Sequence, residues 1–220
     1  MITLSSVKSN PLVAEYIRQT EIYAQAIGYT DHGTSHSEIV SSRARELAQS
    51  IGLSEVEQEL AAIAGWCHDM GNFLGRTQHH YWGALLFGQV FSTQADPAEV
   101  ATIMQAIADH DKEDITIPGP IVACLVIADK SDVRQSRVFD TRPSNLSQDI
   151  HDRVNYAVTQ NELTVDNKNK IIALRLMIDT EHSPIMEYFE IFAERMAYCR
   201  HAAAKLGYKL EIVINETKLL

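Results

Sequence analysis

The stretch of sequence that most constrains the fold is residues 61–72, which ends in a histidine and an aspartate side by side. Its first residues are small and apolar, as in a helix packed closely against other helices. His68 and Asp69 follow near the helix end, just before Gly71. A neutral imidazole beside a carboxylate is a natural pair of metal ligands, and a carboxylate can bridge two ions. The dipeptide is common, so a polar helix end without chemistry explains it unless other ligand-type residues join the pair.

Length and charge limit the class of protein. A chain of 220 residues fits one sizeable domain, with or without a small appendage. Its 45% hydrophobic and 22% charged residues are typical of a soluble globular protein. The net charge of −10 argues against binding to a nucleic-acid polymer, whose phosphates need lysine and arginine. A small phosphorylated substrate remains compatible, because metal ions can supply local positive charge.

The cysteines and the apolar runs indicate the compartment. Cys67, Cys124 and Cys199 are far apart and lie in apolar surroundings, which favours buried thiols in a reducing compartment over disulfides or zinc. Residues 1–10 lack the pattern of a signal peptide. The longest apolar run, residues 121–128, is too short to span a bilayer. We therefore expect a soluble, cytoplasmic protein without membrane contact.

Start signals and helical periodicity predict an all-helical body. Asn10-Pro11 and Asp96-Pro97 each indicate a helix start, and Ser54 with Glu57 forms a capping box. The predicted helices cover approximately residues 11–27, 34–51, 54–69, 79–90, 97–110 and 121–132.

Four further ligand-type residues lie on these helices: His36, His79, His110 and Asp129. His36 belongs to the inward stripe of its helix, where a lone histidine is more often a hydrogen-bonded core residue. Asp129 follows eight consecutive apolar residues, so we expect it to be buried. A buried carboxylate is costly unless it is paired or bound to a metal. Together with the His-Asp pair, these residues suggest one constellation at neighbouring helix ends.

The pattern changes after about Pro143. Strand-like stretches at residues 154–159, 163–166 and 170–178 precede a predicted helix at 185–206 and a last strand at 208–214. We therefore predict a mainly α fold, with a helical domain at residues 1–142. A small antiparallel α+β appendage with one long helix follows at residues 143–220. For His151, His182 and His201, a surface or structural role is the better interpretation.

Three motifs carry a resemblance to a known family. His32-Gly-Thr-Ser-His36, the stretch from Trp66 to Gly71, and Ile-Ala-Asp-Lys-Ser-Asp-Val at residues 127–133 occur in this order. This pattern resembles the HD-domain superfamily of metal-dependent phosphohydrolases, which is named for its His-Asp pair. The resemblance covers about residues 30–138. It implies a helical bundle in which His36, His68, Asp69 and Asp129 hold a metal ion.

Two further stretches resemble members of that superfamily with a binuclear site. These are His79-x-x-x-Gly83-Ala84 and the stretch that ends in His110-Asp111. They imply that Asp69 bridges to a second ion, which His79 and His110 also hold. His80 is adjacent to His79, but the Gly-Ala spacing favours His79.

Two departures from the binuclear pattern limit the substrate. Asn72 stands where related phosphodiesterases often have a lysine, and no Gly-Tyr-Pro signature follows His110. These departures argue against hydrolysis of a cyclic dinucleotide.

The resemblance implies hydrolysis of a phosphate ester of a nucleotide or another small phosphorylated metabolite. Two ions about 3.5–4 Å apart can share a hydroxide and clamp the phosphoryl oxygens. One or two divalent ions are expected, iron or manganese first, with zinc, cobalt, nickel or magnesium compatible.

Further roles for individual residues follow from the same resemblance. Asp69 and His32 are the predicted catalytic residues, with His32 orienting water or substrate. Arg76 and Lys130 are candidate phosphate contacts, although solvated charge is the simpler interpretation of both. Asp132 and Arg137 are expected to support the ligands.

Two other functions remain open from the sequence. The superfamily includes mixed-valent di-iron oxygenases with almost the same ligand residues, and their chemistry depends on pocket residues that the sequence does not identify. A non-catalytic nucleotide-binding regulatory module is the other alternative, with the C-terminal sheet as a sensing or dimerising element. A homodimer is compatible with each of the three.

Overall fold

The structure is a computed structural model that describes residues 1–112 and 116–220. The described residues form ten α-helices and one four-stranded sheet. The helices are α1 (Leu4–Lys8), α2 (Pro11–Ala26), α3 (Thr34–Ser50), α4 (Glu55–Cys67), α5 (His79–Phe91), α6 (Pro97–Asp109), α7 (Pro120–Lys130), α8 (Pro143–Gln148), α9 (Ile150–Ala157) and α10 (Ile185–Lys205). The strands are β1 (Val158–Asp166), β2 (Ile171–Ile178), β3 (Lys209–Ile214) and β4 (Thr217–Lys218). The polar segment predicted at residues 111–120 lies partly outside the described residues.

Capping side chains begin three of the helices where the sequence predicts a start. The Asn10 side chain accepts from the first backbone N–H groups of α2, and Asp96 does the same for α6. At α4, Ser54 and Glu57 form the predicted capping box. These caps satisfy N–H groups that have no partner inside the helix, so they fix where each helix begins.

The core is built around α7, whose residues 121–128 are all buried. A helix that is apolar on every side is expected to be enclosed by other elements, and here α3, α4, α6 and α10 pack around it. Helices α3 and α4 also approach each other closely, because a Cβ on Gly65 would lie only 2.8 Å from the Cα of Ser41. The Ser41 hydroxyl then donates to the Ala62 carbonyl at 2.8 Å. The predicted helical body is confirmed.

The C-terminal sheet is mixed rather than antiparallel, so that detail of the predicted fold is wrong. Strand β1 pairs antiparallel with β2, and β3 pairs antiparallel with β4. Strands β2 and β3 are parallel, in a register from Ile171 opposite Lys209 to Leu176 opposite Ile214. The long helix α10 lies between β2 and β3 in the chain and returns it to the same end of the sheet. Such a crossover produces a parallel pair.

The first predicted strand of this region, residues 154–159, is wrong in its first four residues, while residues 158 and 159 begin β1. Residues 154–157 belong to α9, which the Asp149 side chain caps by accepting from the N–H groups of His151 and Asp152. Val154 and Ala157 are both buried, at a spacing that fits one helical face.

Helices α1 and α8 and strand β4 were not predicted. The domain division at residues 142 and 143 stays a prediction, although one continuous buried core includes Val133 and Phe192 from either side of it.

Two of the remaining predictions concern the cysteines and the membrane. All three cysteines are buried free thiols, as predicted. Within the described ranges, no helix has both the length and the apolarity needed to cross a bilayer.

Candidate metal centre

The six predicted ligand residues lie where four helix termini and the first turn of α3 meet. His36 lies in the first turn of α3, and His79 is the first residue of α5. His68 and His110 directly follow the last residues of α4 and α6. Asp69 comes one residue later, and Asp129 lies in the last turn of α7. The structure therefore brings all six together, and their role in holding ions stays a prediction.

The first ligand group consists of His36, His68, Asp69 and Asp129. The Nε2 atoms of the two histidines are 3.2 Å apart. Oδ2 of Asp69 lies 3.3 Å from Nε2 of His68, and Oδ1 of Asp129 lies 3.3 Å from Nε2 of His36. The two remaining nitrogen–oxygen distances are both 3.6 Å. Donor atoms bound 2.0–2.2 Å from one ion are separated by about 3–3.6 Å, so this group has the dimensions of a metal site.

The second ligand group consists of Asp69, His79 and His110. Oδ1 of Asp69 lies 3.1 Å from Nε2 of His79 and 3.8 Å from Nε2 of His110. The two histidine nitrogens are 3.3 Å apart. His80 joins no metal-sized group among the residues that the structure describes. Of the two adjacent histidines, His79 is therefore the one whose ring reaches the cluster.

Asp69 divides its two oxygens between the groups, Oδ2 toward the first and Oδ1 toward the second. A carboxylate in this position can hold one ion on each oxygen. The arrangement is what a bridging ligand requires.

Each of the four histidines uses its Nδ1 atom for a hydrogen bond within the protein. The acceptors are the Gly65 carbonyl for His68 at 2.8 Å, the Arg76 carbonyl for His79 at 3.0 Å, the Ile107 carbonyl for His110 at 2.7 Å, and Oδ2 of Asp132 for His36 at 2.7 Å. Because these oxygens can only accept, each Nδ1 carries the proton. In a neutral imidazole the lone pair is then on Nε2.

These tautomers make the cluster a good fit for cations. The Nε2 atoms of His36 and His68 are 3.2 Å apart, and those of His79 and His110 are 3.3 Å apart. Lone pairs that face each other at such distances repel unless a proton or a metal ion lies between them. Nitrogen and carboxylate donors suit iron, manganese, zinc and related divalent ions. Metal-bound histidines normally donate their other N–H to a carbonyl or carboxylate, as all four do here.

The buried charges explain the protonation states of the cluster without ions. Burial opposes the charged form of His68, but Asp69 and Asp129 raise its pKa to about 10. Burial keeps the pKa of His110 well below its usual range, and the positive charge of protonated His68 lowers this pKa further. Burial also opposes ionisation of Asp69 and Asp129, yet His68 and Lys130 respectively hold their pKa values well below the usual range. The carboxylates that favour a proton on His68 also favour a metal ion in place of that proton.

Two glycines allow the turn that carries Asp69 to contact α5. A Cβ on Gly71 would lie 2.4 Å from the Gly83 nitrogen and 2.4 Å from the His79 carbonyl oxygen. A Cβ on Gly83 would lie 3.2 Å from the His68 carbonyl oxygen. Side chains at these positions would force the two ligand groups apart, so the glycines set the spacing between them.

Asp132 and Arg137 support the centre from behind, and both are buried. Asp132 accepts from His36 and, at 2.9 Å, from Nε of Arg134. Burial opposes ionisation of Asp132, but the His36 hydrogen bond and Arg137 lower its pKa below the usual range. The Arg137 guanidinium donates to the Asp132 carbonyl at 2.8 Å and twice to the Asp31 carbonyl, at 2.7 and 3.0 Å. It therefore ties the loop before α3 to the segment after α7.

The two candidate phosphate-binding residues lie in different surroundings. Arg76 is half-buried, donates to Oδ1 of Asn72 at 3.0 Å and lies 3.7 Å from Oδ1 of Asp69. Lys130 is buried, and its ammonium pairs with Asp129 at 2.9 Å and also with Asp111. Contact of either residue with substrate stays a prediction, but Lys130 already neutralises carboxylates of the protein.

His32 lies at the edge of the cluster. Its Nδ1 donates to the Thr30 carbonyl at 2.6 Å, which leaves Nε2 as the accepting nitrogen. Burial and the nearby Arg137 lower its pKa well below the usual range, so the ring is neutral. His32 lines a pocket with Asp69, Asp129 and Arg76.

Two residues of this site were not predicted from the sequence. Arg195 of α10 lines the same pocket. Oδ2 of Asp111 lies 3.7 Å from Nε2 of His79. Asp111 follows His110 directly, and that adjacency is a signal that could have identified it. Arg195 lies on an amphipathic helix outside any motif, so the sequence gives no corresponding signal.

A helical bundle that closes around a buried His/Asp cluster defines a candidate metalloprotein. Residues 33–135 match the family model for the HD domain. This stretch of the chain is therefore an HD domain, and members of the HD-domain superfamily are typically metal-dependent phosphohydrolases. A search of curated proteins found no match to this chain.

Proposed function

We propose that this chain is a metal-dependent phosphohydrolase that cleaves a phosphate ester of a small metabolite, such as a nucleotide. The observation that carries the proposal is the division of the Asp69 oxygens between two histidine groups. That geometry suits a pair of ions, and paired ions are a recurrent device for phosphoryl-group hydrolysis. Iron and manganese are the first candidates, because imidazole and carboxylate ligands suit both.

Bound ions would activate a water molecule and offset the negative charge of the phosphoryl group. The protein's own residues have separate tasks. Asp69 fixes the spacing between the ion positions. Arg76, beside Asp69 at the edge of the pocket, orients the phosphoryl oxygens. His32, neutral and with an accepting Nε2, holds the attacking water in line.

The surrounding charges keep the ligands in place before substrate arrives. Asp132 fixes the ring of His36, and Lys130 holds the carboxylate of Asp129. Because these contacts are buried, the ligand atoms need little rearrangement when ions bind.

The direct test is a panel of phosphomonoesters and phosphodiesters assayed with purified protein loaded with manganese or, anaerobically, with iron. We expect hydrolysis by the wild type, seen as phosphate from a monoester or as the alcohol and monoester from a diester, and its loss in Asp69→Ala, together with loss of bound metal. Asp140→Ala removes a carboxylate that pairs with Arg142 away from the centre and serves as the control. Full metal content and activity in Asp69→Ala would refute the proposal.

The same samples discriminate the alternatives. Oxygen uptake by iron-loaded protein without hydrolysis of any ester would support a di-iron oxygenase. Tight nucleotide binding without turnover under several metals would support a regulatory module. A cytoplasmic location remains a prediction that cell fractionation can test. A homodimer remains a prediction that size-exclusion chromatography can test.

A further inference from the structure

We propose that Arg195 of α10 binds the phosphate of the substrate, and that the adjoining cleft accepts the single organic group of a phosphomonoester. This inference rests on the proposed phosphohydrolase function and specifies its substrate class. It assigns recognition to the C-terminal part of the chain, because α9 and α10 lie outside the residues that match the HD domain.

Arg195 is half-buried, and its guanidinium has no hydrogen-bond or ion-pair partner among residues 1–112 and 116–220. It lies over the ring of Phe192, with its central carbon 4.8 Å from the ring centroid. Burial lowers the pKa of Arg195, while Asp129 favours the charged form. A guanidinium stays protonated in proteins and offers five N–H donors. These donors line the pocket beside Asp69 and Asp129, and no acceptor in the described part of the chain competes with a phosphate for them.

The other cations around the pocket are already engaged. Arg137 makes three hydrogen bonds to backbone carbonyls. Lys130 pairs with Asp111 and Asp129. Arg76 donates to Asn72. Within the described part of the chain, Arg195 therefore keeps its whole guanidinium fork for a ligand, whereas Arg76 can offer the phosphoryl group only the donors that Asn72 leaves free.

Two connected spaces meet at Arg195. The pocket beside Asp69 and Asp129 has a volume of about 20 Å³, and the adjoining cleft has about 280 Å³. Both spaces are lined by His32, Arg76, Arg137 and Arg195. The smaller volume is only a little more than one water molecule requires, so the organic part of a substrate has to lie in the cleft.

The cleft limits what that organic part can be. Its volume is at the lower end of the range for small-molecule sites, so it suits one compact group. Its wall includes Tyr29, His151 and Asn155, which favours a polar alcohol such as a nucleoside or a sugar. A phosphomonoester carries about two negative charges at neutral pH, and a guanidinium fork binds such oxygens in a bidentate manner. These features favour a phosphomonoester over an ester with two large groups.

The test of Arg195 is the affinity of metal-loaded, full-length protein for inorganic phosphate, measured by isothermal titration calorimetry. We expect Arg195→Met to weaken binding by roughly 10- to 100-fold, the usual effect of losing charged hydrogen bonds. Arg195→Lys should be intermediate, because it keeps the charge without the fork. Arg200→Met removes an exposed arginine of the same helix and should bind phosphate as the wild type does.

Metal content and thermal stability of each variant establish that the centre is intact. If Arg195→Met does not fold, Arg195→Lys carries the comparison. Wild-type affinity in both Arg195 variants would overturn the inference, as would absence of phosphate binding by the wild type. Phosphate binding that depends on Arg195, without turnover of any ester, would leave this inference standing and remove the proposed hydrolysis. Turnover of an ester, together with unchanged phosphate binding in Arg195→Met, would remove this inference and leave the proposed hydrolysis standing.

The cleft is tested with a nucleoside 5′-monophosphate and a hexose 6-phosphate as probes. At least one should bind more tightly than inorganic phosphate, because its organic group gains contacts in the cleft. His151→Trp narrows the cleft from its exposed rim on α9. It should weaken binding of that probe several-fold and leave inorganic phosphate unaffected. If neither probe binds more tightly than phosphate, or if His151→Trp changes nothing, the cleft does not hold the organic group.

Discussion

The Nδ1 atom of His36 donates a 2.7 Å hydrogen bond to Oδ2 of Asp132, and both side chains are fully buried. The bond fixes the ring so that Nε2 faces His68 and Asp129. Asp132 is itself held by Arg134. A carboxylate that belongs to neither ligand group therefore determines how one of the ligands points.

Replacement of Asp132 by asparagine should lower metal affinity by about 10- to 100-fold, because the negative charge behind His36 is lost. Competition with a chromophoric chelator measures the affinity. Asp140→Asn, at a surface carboxylate paired with Arg142, provides the matched control. Equal affinities in Asp132→Asn and the wild type would show that the hydrogen bond has no influence on the ions.

His79→Ala should reduce the metal content of the protein from about two ions per chain to about one. His79 belongs to the second ligand group, so the first group remains complete in this variant. Elemental analysis after dialysis gives the stoichiometry. His201→Ala, an exposed histidine on α10, should keep both ions. Two ions retained in His79→Ala would contradict the assignment of the second group.

Gly71→Ala should destabilise the fold by about 1–3 kcal/mol, because the new Cβ would meet backbone atoms of Gly83 and His79 at 2.4 Å. For a chain of this size the melting temperature should fall by roughly 2–12 °C. Gly119→Ala is the control, since a Cβ there meets no described atom within 4 Å. Calorimetry of the two variants compares the effects, and equal melting temperatures would contradict the close contact between the turn and α5.

The ion pair between Glu187 and Arg153 should make stability depend on pH. Its two nitrogen–oxygen contacts are both 2.8 Å, and they join the first turn of α10 to α9. The hydrogen bond from Arg153 lowers the pKa of Glu187 from its usual 4.5. The pair therefore stabilises the fold above about pH 4.5, by ~1 kcal/mol or less, and this contribution is lost as the pH falls through the lowered pKa.

Urea unfolding of the wild type and of Glu187→Gln at pH 6.5 and at pH 3 measures this dependence. The stability difference between the two proteins should be largest at pH 6.5 and should shrink at pH 3. Glu181→Gln, at an exposed carboxylate before α10, should give a small difference at both values. A difference that grows as the pH falls would contradict the sign of the pKa shift.

The sequence predicts the helical body well because its signals are local. Asn10, Ser54 and Asp96 each cap a helix through bonds within three residues of themselves. The ligand types at His36 and Asp129 also follow from local pattern, through an inward stripe and an apolar run. Such features depend on neighbouring residues, so the order of the chain reveals them.

The parts that the sequence does not reveal depend on distant contacts. The parallel pairing of β2 with β3 follows from the path of α10, and strand periodicity does not record that path. Residues 154–157 carry a short apolar alternation that suits either a strand or a helix, and packing decides for α9. Arg195 reaches the pocket only because α10 packs against α7.

The central claim is that Asp69 bridges two metal ions between its two groups of histidines. The most direct measurement is anomalous scattering from crystals grown with manganese, recorded at a wavelength where manganese contributes strongly. We expect two peaks about 3.5–4 Å apart, one near each Asp69 oxygen. The first should be bounded by His36, His68 and Asp129, and the second by His79 and His110. A single peak, or two peaks that do not share Asp69, would contradict the account.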